Sequence, residues 1–174
     1  MQHIETVTVG SGGAASITFS AIAADWTDLV LLCSIRTGVS SSGWHDILLR
    51  PNNDSGNATS RILYGNGSTA ASFSESVINF RVSSADTTAN TFGSSTIYIP
   101  NYSSSVAKSI SIDTVGENNA TAAYQGIHAN LWNVTDPITS LVLLSTEAGN
   151  NLLEHTTVSL YGITAGSDGI VSVA

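Results

Sequence analysis

Short segments in which apolar and polar residues alternate, separated by turn-forming residues, run along almost the whole chain. Residues 108–115 place Ile110 and Ile112 on one side, and residues 73–82 alternate in the same way. Successive side chains of a strand point to opposite faces, so this period of two predicts strands that are buried on one side. The pattern therefore predicts an all-β fold, an antiparallel two-sheet sandwich that is jelly-roll-like, with about ten strands. A small closed barrel is the alternative fold.

The residue composition favours strands in the same way. The 174 residues include 27 Ser and 19 Thr, whereas charged residues make up only 10%. Thr, Val and Ile pack well on a pleated surface, and the Lys and Glu of soluble helices are scarce. Because 42% of the residues are hydrophobic, the chain has the apolar content for a folded core. The length fits one domain, which we predict over residues 1–164.

Neighbouring segments suggest two strand pairs. Residues 4–9 end at a glycine-rich turn, which predicts a hairpin with residues 15–19. Residues 138–144 and 156–163 are predicted to form a second hairpin, because a Gly-Asn-Asn turn separates them. Residues 21–28 are the one stretch that could form a helical turn.

The last ten residues, 165–174, are small but include three β-branched side chains, Ile170, Val171 and Val173. Such a segment can dock on a neighbouring subunit as an added strand, which makes these three residues candidate subunit contacts. A frayed end is the alternative. Lys108 is the one lysine that could blunt a sheet edge, so association with other subunits is expected to cover the edges.

The charge balance limits the classes of partner. The chain carries 5 Lys+Arg against 13 Asp+Glu, for a formal net charge of −8. Five basic residues cannot neutralise many phosphates. Nucleic acid and anionic membranes are therefore not expected partners. No apolar run approaches about 20 residues, and no secretory signal pattern opens the chain. The single cysteine, Cys33, excludes an internal disulfide and is expected to be a packing residue.

Residue types that could carry catalysis are present without an informative spacing. His45, His128 and His155 could act beside one of the many serines, but no Gly-x-Ser-x-Gly elbow occurs. The acidic residues show no pairing across a cleft, and surface positions are the favoured interpretation. Those weighed as possible catalytic carboxylates are Asp46, Asp54, Glu75, Asp113, Glu117 and Glu154. We therefore expect a protein that is not an enzyme and needs no cofactor.

One loop and two aromatic residues are the remaining candidates for binding. Residues 52–57 are rich in oxygen ligands that suit Ca²⁺, but they lack the alternating acids of a calcium loop, which favours a plain turn. Tyr102, in the polar loop 101–105, is predicted to be exposed. Together with Trp44 it is a candidate surface-recognition residue, since exposed rings can stack on sugars. For the aromatic residues as a group, packing in a core or interface is the favoured interpretation.

Several runs of sequence resemble those of a known group of proteins. They are IETVTVGSGGAASITFSAIAADWTDLVLLCSIRT, SGNATSRILYGNGS, ENNATAAYQGIHANLW and TTVSLYGI. The chain is similar in these runs to small structural proteins encoded by tailed bacteriophages, many of them from marine and cyanobacterial hosts. The matching positions are Thr27-Asp28-Leu29, Ser55-Gly56-Asn57, residues 61–67 and residues 160–163, so the likeness spans nearly the whole chain.

The resemblance implies a virion structural protein, assembled in the host cytoplasm. Members of the group are described as capsid decoration, tail-fibre or simply virion proteins. The resemblance favours an oligomeric capsid decoration (cement) protein on the particle surface, with other copies of itself and the major capsid protein or other virion proteins as partners. By analogy with the local threefold positions of capsids, the expected oligomer is a homotrimer. The alternative is a tail-fibre or receptor-binding module that recognises host-surface glycans.

Overall fold

Twelve β-strands build the protein, and the part of the chain that is described contains no helix. The structure is a computed structural model, and it describes residues 1–40, 43–117, 123–147, 149 and 151–164. The predicted contact residues Ile170, Val171 and Val173 lie outside these residues. Within the described ranges no helix is long and apolar enough to cross a membrane.

The strands cover most of the described chain in segments of four to nine residues. In chain order they are β1 (Gln2–Thr8), β2 (Ser16–Phe19), β3 (Asp28–Ile35), β4 (Trp44–Pro51), β5 (Ala58–Gly65), β6 (Ala70–Glu75), β7 (Asn79–Ser83), β8 (Gly93–Ile99), β9 (Lys108–Gly116), β10 (Tyr124–Trp132), β11 (Leu141–Ser145) and β12 (Thr157–Ile163).

The strands pair antiparallel in two sheets. The eight-stranded sheet has the order β1-β12-β3-β8-β9-β10-β5-β6, and the four-stranded sheet has the order β2-β11-β4-β7. This confirms the predicted all-β, antiparallel two-sheet architecture, with twelve strands where about ten were expected. Five pairs are nested, first strand with last: β1 with β12, β2 with β11, β3 with β8, β4 with β7, and β5 with β6. Successive nested pairs alternate between the two sheets, and the jelly-roll character stays a prediction.

Both predicted hairpins are wrong, because β1, β2, β11 and β12 pair in a nested and not a sequential order. β1 pairs with β12 and not with β2, although a glycine-rich turn separates β1 from β2. β11 pairs with β2 and β4, whereas β12 lies in the other sheet between β1 and β3. Residues 73–82 belong to two strands, β6 and β7, in different sheets. Residues 21–28 form bends and not a helical turn.

The hydrophobic core lies between the two sheets. Leu31 and Ile97 from the large sheet and Ile47 and Phe80 from the small sheet are fully buried there. Ile47 and Ile97 lie at the inward-facing positions of strands in which burial alternates. Leu31 and Phe80 lie in runs of strand residues that are buried on both faces. Cys33 is also part of this core, and burial raises the pKa of its thiol to about 12. The expectation that Cys33 is a packing residue is confirmed.

The large sheet extends past the small sheet and covers both faces of β7. Phe80 on β7 faces the main core, while Arg81, the next residue, contacts the rings of Tyr64 on β5 and Phe73 on β6. All five residues of β7 are consequently buried. Thr114 of β9 donates a hydrogen bond to the carbonyl oxygen of Arg81 at 2.6 Å. In this way the neighbouring sheet protects the free edge of the small sheet.

Three of the five basic side chains are buried. The prediction that Lys108 blunts a sheet edge is wrong. This residue lies on β9, between β8 and β10, and is 1% exposed. Its ammonium group donates to the carbonyl oxygens of Ser104, Thr135 and Asp136 at 2.9, 3.3 and 2.5 Å. Burial lowers the pKa of this group. The position is inward because residue 108 begins the alternation that buries every second residue of β9.

Arg36 anchors the loop between β7 and β8 in the same manner. Its guanidinium group donates to four carbonyl oxygens, those of residues 85, 87, 88 and 91, at 2.7 to 3.1 Å. Arg81 is the third buried cation. Arg50 is half-buried, which leaves Arg61 as the one basic side chain that is exposed.

Candidate interaction face

Exposed apolar side chains are concentrated on the outer face of the large sheet. The described residues include eight large apolar side chains that are exposed, and six of them point outward from strands of this sheet. Leu63 on β5 and Ile127 on β10 are the most exposed of the six, at 57% and 56%. We call this surface the apolar face; its six members are Leu32, Leu63, Tyr98, Val115, Ile127 and Leu131.

The alternation along β10 explains how apolar residues come to lie outside. Ile127, Ala129 and Leu131 point outward, while His128 and Asn130 point inward. The inward polar residues are held by hydrogen bonds: the Asn130 amide accepts from Ser60 at 2.5 Å and donates to the carbonyl of Ile110 at 3.1 Å. Because the pleat fixes both faces together, burying these polar groups exposes the apolar set.

Two shallow grooves flank the centre of the apolar face. Leu63 lies opposite Ile127 in the register of β5 and β10, and both grooves include these two side chains. The first groove encloses about 740 Å³ and reaches Val115 and Gln125. The second encloses about 530 Å³ and reaches Phe73 near the edge strand β6. Large exposed apolar patches mark sites of interaction with proteins, membranes or ligands, which makes this face the candidate interaction site.

The charges of this face are few and opposite. At the outward positions of β8, β9, β10, β5 and β6 the charged residues are Arg61 and Asp113. Arg61 Nη1 donates to the carbonyl oxygen of Ser60 at 2.9 Å. Elsewhere on the described chain the exposed charges are acidic, since all the other basic side chains are buried or half-buried. A further acid, the exposed Glu117, lines the end of the first groove just beyond β9. The centre of the apolar face therefore carries balanced charge, whereas the exposed charges on the rest of the described surface are acidic.

Trp44, a predicted surface-recognition residue, lies in a stack of rings around Arg81. The Arg81 guanidinium carbon is 3.5 Å from the centre of the Trp44 ring system and 4.2 Å from that of Tyr64. Arg81 Nε lies 3.8 Å from an oxygen of Asp46, whose pKa burial raises although Arg81 opposes that rise. Trp44 is half-buried, and the guanidinium covers one face of its ring. A role for Trp44 in recognition stays a prediction.

The predicted exposure of Tyr102 is wrong. Its side chain is fully buried in the main core, and its hydroxyl donates to the carbonyl oxygen of Ala23 and accepts from the backbone N–H of Trp26. The loop turns inward after Asn101, which has a positive φ of 51° and whose N–H is held by Asp28. Polar neighbours in sequence concealed an inward-pointing ring. Tyr102 is consequently not available to bind a sugar.

The three histidines that were weighed as catalytic, His45, His128 and His155, occupy separate environments. His45 Nε2 lies 3.1 Å from Ser145 Oγ and 3.0 Å from Thr146 Oγ1, and burial lowers its pKa. His45 and Ser145 are both buried, so this pair ties β4 to β11. Burial lowers the pKa of His128 to about 4, and its Nδ1 has no hydrogen-bond partner among the described residues. His155 is exposed in a turn.

The loop of residues 52–57 is held by Asp54. Its carboxylate accepts hydrogen bonds from the Gly56 N–H at 2.9 Å, from the Asn57 amide at 3.2 Å and from the Trp132 indole at 2.9 Å. These donors lower the pKa of Asp54, the Gly56 bond contributing most. The carboxylate thus joins the loop to β10. Over the described ranges, no group of three or more His, Cys, Asp or Glu is placed to hold a metal ion.

The other acidic residues that were weighed as catalytic lie on or beside β6, β9 and β12. Asp113 and Glu117 are exposed on and beside β9, Glu154 is exposed near β12, and Glu75 is half-buried on β6. The residues that the sequence analysis did not single out are Arg61, Leu63 and Ile127. The alternation along β10 would identify Ile127 as outward-facing once His128 and Asn130 are assigned to the inner face, and the strand register then places Leu63 and Arg61 on the same outer face.

Comparison with known proteins adds no relative. No family model matches the chain, and no curated protein and no solved structure matches it either.

Proposed function

We propose that the protein is a structural component of a bacteriophage virion, a capsid decoration (cement) protein that acts as an oligomer on the particle surface. The observation that carries this proposal is the apolar face, which presents six exposed apolar side chains on one face of the large sheet. This surface favours association. The resemblance of the sequence to phage structural proteins supplies the biological setting.

The fold supports the same proposal. Five nested strand pairs alternate between two sheets, which is the connectivity expected of a jelly-roll-like chain folded back on itself. We propose that the fold is of this type, with the β9–β10 hairpin and the β5–β6 pair widening one sheet. The widened part carries Leu63, Val115, Ile127 and Leu131 of the apolar face.

The mechanism of such a protein is mechanical. Copies of the chain, proposed as a homotrimer at local threefold positions, would bury surface at joints between major capsid subunits. The pressure of the packaged genome then has to break these contacts as well as those of the shell. A negative outer surface keeps particles apart and suits binding outside the shell, away from the nucleic acid.

Immunogold electron microscopy tests the proposal, with an antibody against this chain and virions purified from the phage that encodes it. We expect dense label over the head. Label confined to the tail end would overturn decoration in favour of the alternative, a receptor-binding module for host-surface glycans. Particles without label would overturn the virion assignment. Virions that lack the chain serve as the control for label and are expected to open at a lower temperature.

A further inference from the structure

The centre of the apolar face carries two opposite charges in a defined arrangement. In the register of the sheet, Leu63 on β5, Ile127 on β10 and Asp113 on β9 lie in one row across the strands. Arg61 lies in the neighbouring row, opposite Ala129. Arg61 and Asp113 therefore stand on the two sides of β10, one row apart, with the apolar pair Leu63 and Ile127 between them.

This arrangement is complementary to itself. Strands lie about 4.8 Å apart and rise about 3.4 Å per residue, so the Cα atoms of Arg61 and Asp113 are about 12 Å apart. A two-fold axis can lie in the plane of contact, pass through the midpoint between Arg61 and Asp113, and run perpendicular to the line that joins these two residues. It brings Arg61 of each copy to Asp113 of the other. The same rotation places Leu63 of one copy near Ile127 of the other, close to the axis.

The charge distribution favours a second copy as the occupant. The chain has a net charge of −8, and among its described residues eight acidic side chains are exposed against one basic side chain, Arg61. Two copies that met through a surface bearing several of these acidic side chains would bring like charges together, which costs several kcal/mol when they are juxtaposed. At the apolar face each copy contributes one positive and one negative charge, and both find partners.

We propose that the apolar face binds the same face of a second copy of this chain in a two-fold contact, with two Arg61–Asp113 pairs around a Leu63–Ile127 centre. A two-fold contact uses one patch on both subunits. The inference rests on the self-association within the proposed function and not on the virion assignment. If threefold contacts also form, the two-fold contact joins two trimers, so its loss halves the mass of the oligomer in either case.

Charge reversal in the purified full chain tests the contact. Arg61→Asp and Asp113→Arg each turn both Arg61–Asp113 pairs of the contact into pairs of like charge. We expect each variant to weaken association about tenfold or more. Light scattering after size exclusion should then report half the mass of the wild-type oligomer. The double variant, with Arg61→Asp and Asp113→Arg together, restores opposite charges at both pairs. It should regain the wild-type mass.

Two neutral substitutions separate the face from general loss of apolar surface. Ile127→Ser should weaken association, whereas Val106→Ser, at an exposed apolar residue in the loop before β9, should not. Far-ultraviolet circular dichroism confirms that each variant is folded, which we expect because all these side chains are exposed.

Three results would overturn the inference. They are a wild-type chain that stays monomeric at millimolar concentration, single charge variants with unchanged mass, and a double variant that stays dissociated although it is folded. Virion labelling is independent of these results, so failure of the contact and failure of the virion assignment are distinguishable.

Discussion

Tyr102 is a loop residue whose ring belongs to the core. Its hydroxyl joins the carbonyl of Ala23 to the N–H of Trp26, across more than seventy residues of sequence. Tyr102→Phe keeps the ring and removes this link, leaving the Ala23 carbonyl without its donor. We expect the free energy of unfolding to fall by about 1–2 kcal/mol, measured by urea denaturation.

A matched control for this change is Tyr161→Phe, at a half-buried ring that makes a T-shaped contact with His3. It should change the free energy of unfolding by less than Tyr102→Phe. Equal stability of wild type and Tyr102→Phe would contradict the role given to the hydroxyl. Tyr102→Ala is unsuitable as a probe of glycan binding, because it would leave a cavity in the core.

His128 makes stability depend on pH. Burial lowers its pKa from 6.5 to about 4, so between these values the unfolded chain binds a proton that the folded chain does not. Stability that is present above pH 6.5 is therefore lost as the pH falls toward 4, by up to about 3 kcal/mol. In His128→Gln this loss should be absent. Urea denaturation at pH 7 and pH 4.5 measures the difference between the two proteins, and identical pH slopes would refute the prediction.

At the scale of elements, the packing of Trp26 on β12 requires a glycine at residue 162. Trp26 packs directly on Gly162, and a Cβ atom at that position would come within 2.2 Å of the indole. Gly162→Ala must displace the ring. We expect a loss of about 1–3 kcal/mol in the free energy of unfolding, together with a change in tryptophan fluorescence.

Gly10→Ala is the control for this substitution, because no atom lies within 4 Å of a Cβ built at residue 10. It should leave both the stability and the fluorescence nearly unchanged. If Gly162→Ala is as stable as Gly10→Ala, the packing of Trp26 on β12 is not as described.

The sequence predicts where strands lie better than how they pair. Alternation is a local property, so the all-β class, the strand β9 and the packing role of Cys33 are all predicted correctly. Pairing depends on burial between distant segments, and a glycine-rich turn after β1 does not reveal that β12 is its partner. The apolar face was missed for a related reason. Ile127 has the residue type of a core position, and only the inward hydrogen bonds of Asn130 show that β10 exposes it.

At the scale of the whole molecule, charge is sorted between inside and outside. Arg36 and Lys108 turn inward to hold seven backbone carbonyls of loops, and Arg81 turns inward to aromatic rings. The cations thus hold loops and rings inside the molecule, and most of the acidic residues in the described chain are exposed. That sorting makes an apolar patch with balanced charge and one Arg a distinctive place on the surface, which is the basis of the two-fold contact proposed above.

The burial of the basic side chains also protects the folded chain from trypsin, because trypsin cleaves the peptide bonds that follow Lys and Arg. Of the five such residues, Arg36, Arg81 and Lys108 are buried, and Arg50 precedes Pro51, a bond that trypsin cuts poorly. Arg61 is exposed but lies on β5, which is paired on both sides. The folded chain should therefore persist in trypsin, and cleavage should follow the fraction of molecules that open. Gly162→Ala should be cut faster than wild type, and a wild-type chain cut as rapidly as its urea-unfolded form would show that these bonds are accessible after all.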